Sequence, residues 1–388
     1  MRVTYTPFLH AKEGEFAAMA ATPANQRELL LPLFELPPVT DKTRALVAYR
    51  HAPQPVAAYL QDKAGEVAKA FAGRPVMVDT NHWTETDTAE TGELAVTYAI
   101  QALRDRGHPV VPVVGLLRFD ESEEYRLALQ GIAFDGEPTW ALRLDASDME
   151  DAADPDHFIE RVDGVLQGLG VMPKHMGVLM DFEDVSGQPA DDIVATAERV
   201  LQLLGPNGFQ FFSLIGCSMP ATINLAVKKH NSEGTVTRKE MLAWRRLRAA
   251  YPQLPLAFGD YGVRGPRSSD APNPYTNGKI RYTIENQYFI VRGKPRKADD
   301  EQMHMLAAKV AASAHYLGPD FSHGDRQLHL RAVRTMVGKR VLKLIRPGGT
   351  TSWIEFDTSH HLAWLHRELV AAEHAIHAMP VDVAIPSA

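Results

Sequence analysis

The chain has 388 residues, of which 45% are hydrophobic and 23% charged, with a formal net charge of −7 and one cysteine, Cys217. This composition is typical of a globular protein and excludes the disordered and fibrous classes. A single cysteine excludes an internal disulfide and a cysteine-based zinc site. No apolar run is long enough to span a bilayer, so we expect a cytoplasmic protein without membrane contact.

Eight short apolar or β-branched runs recur along the chain, separated by segments with helical spacing. The runs occupy residues 30–35, 76–79, 110–115, 140–145, 176–181, 210–215, 256–260 and 280–291. Continuous apolar strands that alternate with helices predict a parallel sheet that is buried on both faces. Eight such units favour a single (β/α)8 barrel of the TIM type over an open doubly wound sheet, and no glycine-rich dinucleotide motif follows an early strand.

The same pattern predicts the organisation of the chain. We expect residues 1–300 to form the (β/α)8-like barrel and residues 301–388 to form a helix-rich C-terminal extension that packs on it. Residues 265–279 are rich in Pro, Ser and Asn, which predicts a long loop over one barrel mouth.

Charge is distributed unevenly along the sequence. Residues 79–199 contain 26 acidic and 8 basic residues, whereas residues 279–346 contain 14 basic and 6 acidic ones. The negative total argues against non-specific nucleic-acid binding, but the basic region 279–346 predicts a local contact with a nucleic acid or nucleotide. The alternative is that the charges only solvate different faces of the fold.

Most of the predicted strands end in charged or aromatic side chains, and functional residues of a (β/α)8 barrel collect at the carboxyl ends of its strands. The candidates are Glu35, Asp79, Arg143, Asp145, Asp181, Asp260, Tyr261, Arg281 and Tyr282, with Lys12 near the start as a further anion-binding candidate. Carboxylates that converge must protonate, bind a cation or pair with arginine, for which Arg143 and Arg281 are available. Alternatively, each aspartate caps the helix that follows its strand.

In the C-terminal third, residues 318–325 read Gly-Pro-Asp-Phe-Ser-His-Gly-Asp and are followed by Trp353 and by Ser359-His360-His361. These motifs resemble those of the beta protein family of phage and bacterial genomes, in which a G-x-D-F-S-x-G-D box is followed by a tryptophan and an N-H-H motif. The matching residues are Asp320, Phe321, Asp325, Trp353, His360 and His361. Ser359 stands where the family usually has Asn, and His323 stands where an aromatic residue is common.

The resemblance implies a phage- or prophage-associated protein of an anti-phage defence or toxin-control system, with a protein partner encoded nearby. It implies no particular reaction. Because it couples two motifs about 35 residues apart, we expect Asp320 to Asp325 to meet His360 and His361 and to fasten the extension to the barrel through buried hydrogen bonds.

Two functions are consistent with the strand-end residues. The first is a protein that binds a partner protein or an anionic nucleotide-like ligand at the barrel mouth, and the absence of a recognised catalytic signature favours it. The second is a metal-dependent hydrolase of the phosphodiesterase or nuclease kind. Glu35, Asp79, Asp181 and Asp260 would then hold Mg²⁺ or Mn²⁺, with Arg143, Asp145 and Asp260 as candidate catalytic residues. A glycosidase variant would use Asp145 and Asp260 as its acid and base.

Overall fold

A computed structural model describes residues 3–134, 136–266, 275–297, 299, 301–336 and 345–377. Residues 267–274 of the predicted mouth loop and residues 337–344 of the basic region therefore lie outside the described residues.

Eight parallel strands form a closed barrel, which confirms the predicted (β/α)8 TIM-type fold. In the order of the barrel they are β1 (Tyr5–His10), β2 (Leu33–Glu35), β3 (Val76–Asp79), β4 (Val110–Gly115), β5 (Trp140–Leu144), β6 (Met176–Asp184), β7 (Phe211–Cys217) and β9 (Leu256–Asp260). The strands β8 (Ser232–Thr237), β10 (Asn277–Ile284) and β11 (Gln287–Pro295) form a separate antiparallel sheet in the order β10–β11–β8.

Helices surround the barrel and continue beyond its last strand. They are α1 (Glu13–Ala21), α2 (Ala24–Arg27), α3 (Asp41–Arg44), α4 (Pro55–Ala70), α5 (Ala95–Arg104), α6 (Leu116–Glu121), α7 (Glu123–Gln130), α8 (Ala146–Glu150), α9 (Pro155–Leu169), α10 (Ala190–Leu204), α11 (Ile223–Ala226), α12 (Lys239–Ala250), α13 (Gln302–Ala311), α14 (His323–Met336) and α15 (Thr350–His377). Short 3-10 turns occur at Asp151–Ala153, Pro173–His175 and Gly205–Asn207. Within the described part of the chain, no helix has the length and apolar character needed to cross a membrane.

The barrel is completed by β1, so the prediction that residues 280–291 supply the eighth strand is wrong. β1 pairs in parallel with both β2 and β9. Residues 280–291 instead belong to the β10–β11 hairpin, whose turn places Asn286 at a φ of 55°. Their alternating pattern is typical of antiparallel strands. Pro7 obscured β1 in the sequence, because proline inside a short run argues against a strand.

Side chains on the barrel strands alternate between the barrel interior and the surrounding helices. Leu33, Met77 and Leu179 belong to the interior core. Their neighbours Phe34 and Val78 belong to the core between the strands and the helices. The next residues along these strands therefore return to the interior, at its carboxyl end.

The last helix, α15, belongs to the barrel wall as well as to the C-terminal extension. Leu365 and Leu369 are part of the core between the strands and the helices, and Arg248 of α12 forms an ion pair with Glu373 of α15. Trp353, near the start of α15, belongs to a third core that includes residues of β10, β11, α13 and α14. The helix thus joins the barrel to the small sheet, and the predicted domain boundary at residue 300 stays a prediction.

Candidate functional site at the barrel mouth

The carboxyl ends of the strands carry a buried cluster of charged and aromatic side chains. Glu35, Asp79, Arg143 and Asp181 lie two residues beyond interior core residues of β2, β3, β5 and β6, and Tyr261 directly follows β9. None of the five is more than 3% exposed. The period-two alternation of the strands brings them together, since all five occupy inward positions.

Arg143 lies at the centre of this cluster. Its Nη1 is 2.9 Å from Asp79 Oδ2 and 2.9 Å from Glu35 Oε1, and its Nε donates to Asp181 Oδ2 at 3.0 Å. Its Nη2 also donates to the Tyr261 hydroxyl, which in turn donates to Asp181 Oδ2 at 2.7 Å. One guanidinium therefore holds three carboxylates, which come from the strands β2, β3 and β6.

A second arginine neutralises part of the negative charge of the cluster. Arg118 of α6 donates from Nη2 to both oxygens of Asp79, at 2.9 and 3.1 Å. Its guanidinium reaches Asp79 across Gly115, where an added Cβ would lie 2.5 Å from Arg118 Nε. Two guanidinium charges against three carboxylates leave one negative charge in the cluster, next to Glu35 and its two histidine neighbours.

The protonation of the cluster follows from burial and from these ion pairs. Burial alone would raise the pKa of Glu35, but Arg143, His82 and His10 lower that pKa to about 2. Burial raises the pKa of Asp181, although Arg143 and Tyr261 oppose this change. Burial would lower the pKa of Arg143, but its carboxylate partners raise it well above the usual value. Glu35 and Arg143 are therefore both charged at neutral pH.

A cavity of about 250 Å³ opens beside Glu35. Its lining residues are His10, Lys12, Glu35, Pro37, Pro38, His82 and Pro266. Glu35 Oε2 lies 3.8 Å from His10 Nδ1 and 3.6 Å from His82 Nε2. Both oxygens of Glu35 are buried and accept no hydrogen bond, despite the ion pair with Arg143. The buried Glu35 carboxylate is therefore surrounded by Arg143, His10 and His82, whose positive charges offset the cost of its burial.

His82 lies at the rim of the cavity, with 44% of its side chain exposed. The nearby Glu35 carboxylate raises the pKa of His82, while partial burial and Arg143 oppose this change. The imidazolium form of His82 is thus favoured beside the excess negative charge of the cluster.

Four of the predicted site residues lie elsewhere. Asp260 accepts hydrogen bonds from Tyr5 and His361, on the helix side of the barrel wall. Asp145 caps α8 and takes part in a capping box with Asp148. Arg281 pairs with Asp357 of α15, and the Tyr282 hydroxyl donates to Asp325. The expectation that Asp260 and Arg281 line the mouth is wrong, because Asp260 has the opposite strand parity and Arg281 belongs to the small sheet.

The family motifs meet at the junction between α15, β10 and the barrel. His360 Nδ1 is 2.8 Å from Asp325 Oδ2 and its Nε2 is 2.8 Å from the carbonyl oxygen of Thr283. Both ring nitrogens of His360 therefore face an oxygen atom. His361 donates from Nε2 to Asp260 at 2.9 Å and accepts at Nδ1 from the Thr283 hydroxyl at 2.8 Å, so it is neutral.

The other motif residues surround this junction. Phe321 packs near His360, and the indole N–H of Trp353 donates to the carbonyl oxygen of Pro347 at 2.9 Å. Asp320 has a side chain 95% exposed and lies 3.8 Å from Arg326. The structure therefore brings Asp325 together with the two histidines and leaves Asp320 at the surface.

The predicted metal site is not formed by the described residues. Within them, no group of three or more His, Cys, Asp or Glu side chains is arranged to hold a metal ion. Glu35, Asp79 and Asp181 are all paired with Arg143, and Asp260 faces the other side of the wall. The arginines thus occupy the position that the hydrolase hypothesis assigned to Mg²⁺ or Mn²⁺.

The basic region 279–346 has a partly internal role. Arg281 is paired with Asp357, and Arg292 donates to the carbonyl oxygens of Val227 and Lys228. Arg331 donates to the carbonyl oxygen of Gln327. All three arginines are buried and bond within the protein. The described part of region 279–346 therefore presents less positive charge at the surface than its sequence predicts.

Three site residues were not identified from the sequence. His10 ends the strand β1, which the sequence reading missed, and Arg118 lies in the helix after β4. His82 follows β3 by three positions. All three residues lie at or just after the carboxyl end of a strand, and this position could have identified them as site candidates.

The fold and its mouth define a (β/α)8-barrel protein with a guanidinium–carboxylate cluster beside a cavity lined by two histidines. The sequence profile of the Beta protein family matches residues 5–367, and the chain belongs to this family. Comparison with curated proteins finds no match.

Proposed function

We propose that the protein binds a small anionic, nucleotide-like ligand in the mouth cavity. The observation that carries this proposal is the placement of Lys12, His82 and His10 around one cavity of about 250 Å³. Lysine and an imidazolium are donors suited to phosphate oxygens, and the proline side chains offer flat apolar walls for a ring.

The charged cluster below the cavity supports binding by fixing the site in place. Arg143 holds Glu35, Asp79 and Asp181 in one geometry, so Glu35 and the histidines beside it belong to a rigid floor. A preformed site loses less entropy when it binds its ligand.

We further propose that this binding serves an anti-phage defence or toxin-control system of a phage or prophage, through a protein partner encoded nearby. Membership of the Beta protein family supports this context. The cytoplasmic location and the contact of region 279–346 with a nucleic acid stay predictions. The metal-dependent hydrolase is the less supported alternative, because its four carboxylates are divided between two sides of the barrel wall.

Calorimetric titration of the purified protein with nucleoside monophosphates and with inorganic phosphate tests the ligand. We expect a nucleotide to bind and expect Lys12→Gln and His82→Asn each to weaken its binding by about tenfold or more. Gln253→Ala, at a second cavity near Val3 and Arg248, is the matched control and should bind as the wild type does. Absence of binding, or equal binding by all variants, would contradict the proposal.

A test of the context uses the same variants in cells. The protein and its neighbouring genes, expressed together, should reduce phage plating or modulate toxicity, and Lys12→Gln should lose that effect while Gln253→Ala keeps it. Retention of the effect by Lys12→Gln would separate the cellular role from the mouth cavity.

A further inference from the structure

A surface patch lies where the turn before α14 meets the last helix, α15. It consists of Leu317, Pro319, Asp320, Phe321, Trp364 and Arg367, and we call it the Arg367 patch. Resting on the protein partner of the proposed function, we propose that this partner docks on the Arg367 patch. The docking segment carries an acidic side chain for Arg367, a basic side chain for Asp320 and an apolar side chain beside them.

The first observation is that the Arg367 guanidinium packs against two aromatic rings. Its Cζ is 4.2 Å from the centre of the Trp364 ring and 5.0 Å from the centre of the Phe321 ring. Trp364 and Arg367 share a face of α15 because they are three positions apart, whereas Phe321 comes from the turn. Cation–π contacts therefore hold the planar group in place before a partner binds.

The second observation is that this guanidinium keeps its donors for a partner. Arg367 is exposed, and no carboxylate among the residues that the structure describes pairs with it. By contrast, Arg143 and Arg281 have carboxylate partners within the protein. A guanidinium binds a carboxylate through two parallel N–H···O bonds, so an aspartate or glutamate side chain fits Arg367.

The third observation is that the floor of the patch is fixed. The His360 ring packs against Phe321 and Trp364, with distances between ring centres of 5.5 and 6.3 Å. The same ring is fixed by Asp325 and by the carbonyl oxygen of Thr283. A surface that is already ordered loses little conformational entropy when a partner docks on it.

The turn that carries the apolar part of the patch is also held in one conformation. Gly318 has a φ of 89°, and its carbonyl oxygen accepts from the backbone N–H of Phe321 at 3.4 Å. The backbone N–H of Leu317 donates to the Tyr282 hydroxyl at 3.1 Å, and the Leu317 side chain is 37% exposed. An ordered apolar group beside Trp and Arg is typical of the residues that dominate protein interfaces.

The charges of the patch favour a protein over a nucleic acid. Asp320 directly precedes Phe321, its side chain is 95% exposed, and its pair with Arg326 at 3.8 Å is a weak surface contact. A phosphate backbone is bound by several cations and would be repelled by the Asp320 carboxylate. Charges of both signs around aromatic and apolar side chains instead fit a protein segment with complementary charges.

Selection from a phage-displayed library of random short peptides tests the patch, with the wild-type protein as bait. Fluorescence polarisation then measures the affinity of the enriched peptides for each variant. We expect these peptides to combine an acidic, a basic and an apolar residue, and we expect Arg367→Gln to weaken their binding by about tenfold or more. Asp320→Lys should weaken it as well. Arg199→Gln, at an exposed arginine of α10, is the control and should bind as the wild type does.

Arg367→Lys separates the stacked geometry from the charge. The ammonium group keeps the positive charge but lacks the planar fork, so binding of the peptides should stay weakened. Circular dichroism of each variant establishes that it is folded. Nucleotide binding at the mouth should be the same in Arg367→Gln as in the wild type, because the patch is separate from the mouth cavity.

Two results with these probes would overturn the inference. The first is equal binding of the enriched peptides by the wild type and Arg367→Gln, or enriched peptides without an acidic residue. The second is a labelled single-stranded oligonucleotide that binds less tightly to Arg367→Gln and more tightly to Asp320→Lys than to the wild type. That result would assign the patch to a nucleic acid.

Titration with the purified proteins of the neighbouring genes connects the patch to the proposed partner. Weaker binding by Arg367→Gln, with unchanged binding by Arg199→Gln, supports the inference. Equal binding by both variants would overturn it and leave the proposed partner intact. Absence of binding by every neighbouring protein would instead contradict the proposed partner, and the peptide affinities would still decide whether the patch is a docking surface.

Discussion

Asp260 and Tyr261 are adjacent in the chain and act on opposite sides of the barrel wall. The Asp260 carboxylate accepts hydrogen bonds from Tyr5 and His361, and the next side chain, Tyr261, donates to Asp181 in the mouth cluster. The backbone N–H of Gly262 also donates to Asp260 at 2.9 Å, so the turn after β9 is fixed at the same point. The mouth and the α15 junction are therefore connected through one short segment.

The junction at α15 also includes β10 of the small sheet. Thr283 of β10 contacts His361 through its hydroxyl and His360 through its carbonyl oxygen. The junction thus holds the small sheet, the last barrel helix and the end of β9 together. His361 of α15 is therefore hydrogen-bonded to Asp260, the last residue of β9 and the neighbour of Tyr261.

The first prediction concerns the hub of the mouth. Arg143→Met should destabilise the protein by about 3–5 kcal/mol, because it leaves Glu35, Asp79 and Asp181 buried with one guanidinium fewer. Urea unfolding followed by circular dichroism measures the change. Arg246→Met, at an exposed ion pair with Asp191, is the control and should stay within about 0.5 kcal/mol of the wild type. A stable Arg143→Met protein would show that the cluster does not depend on this arginine.

The second prediction concerns the junction. His361→Ala should cost about 1–3 kcal/mol, because Asp260 and Thr283 lose a buried hydrogen-bond partner. His374→Ala, on an exposed face of the same helix, should have almost no effect. The same unfolding measurement compares the two variants. If His361→Ala were fully stable but inactive, the junction would be functional and not structural.

The third prediction concerns Glu240, which is fully buried and accepts a hydrogen bond from Ser218. Burial raises the pKa of Glu240 to about 7, against an ordinary value of 4.5. The folded state therefore holds a proton that the unfolded state releases, so the stability of the wild type falls as pH rises from 4.5 to 7.

Glu240→Gln should remove this dependence because the amide cannot ionise. At pH 8 the variant should be more stable than the wild type by on the order of 2–3 kcal/mol, and below pH 4.5 that advantage should disappear. Thermal unfolding between pH 4 and pH 8.5 checks the result. Parallel pH profiles for both proteins would show that Glu240 ionises normally.

The fourth prediction concerns the pH dependence of ligand binding. Because the pKa of His82 is raised, its imidazolium persists above pH 6.5 and is lost as pH rises through that higher pKa. Nucleotide affinity should therefore decline between pH 6.5 and pH 8.5 in the wild type. The decline should be absent in His82→Asn, and calorimetric titration across this range measures it. An unchanged decline in His82→Asn would assign the proton to another group.

Most of the fold could be predicted from the sequence. Seven of the eight predicted runs are barrel strands, because a strand buried on both faces needs a continuous apolar run that is visible without knowledge of its neighbours. The remaining strand, β1, contains Pro7 and is recognisable only through its pairing with β2 and β9. Residues 280–291 were predicted to be a barrel strand because an apolar run alone does not indicate which sheet a strand belongs to.

The sequence also determined part of the site. A polar residue at the end of an apolar strand usually serves function or helix capping. This rule identified Glu35, Asp79, Arg143 and Asp181 as candidates. Strand parity, counted from the interior residues, would have excluded Asp260, since Tyr261 and not Asp260 is two residues beyond Gly259. Capping explains Asp145.

Only the tertiary structure decided how the charges are paired. The sequence contains the three carboxylates and Arg143, but whether they bind a metal or an arginine depends on distances between strands that are up to about 145 residues apart in the chain. Arg118 reaches Asp79 across Gly115, and His10 and His82 lie beside Glu35. These positions depend on the conformation of the segments that follow the strands. The pattern of residues along a strand determines which face of the sheet a side chain occupies. Packing between segments that are distant in the chain determines which partners that side chain contacts.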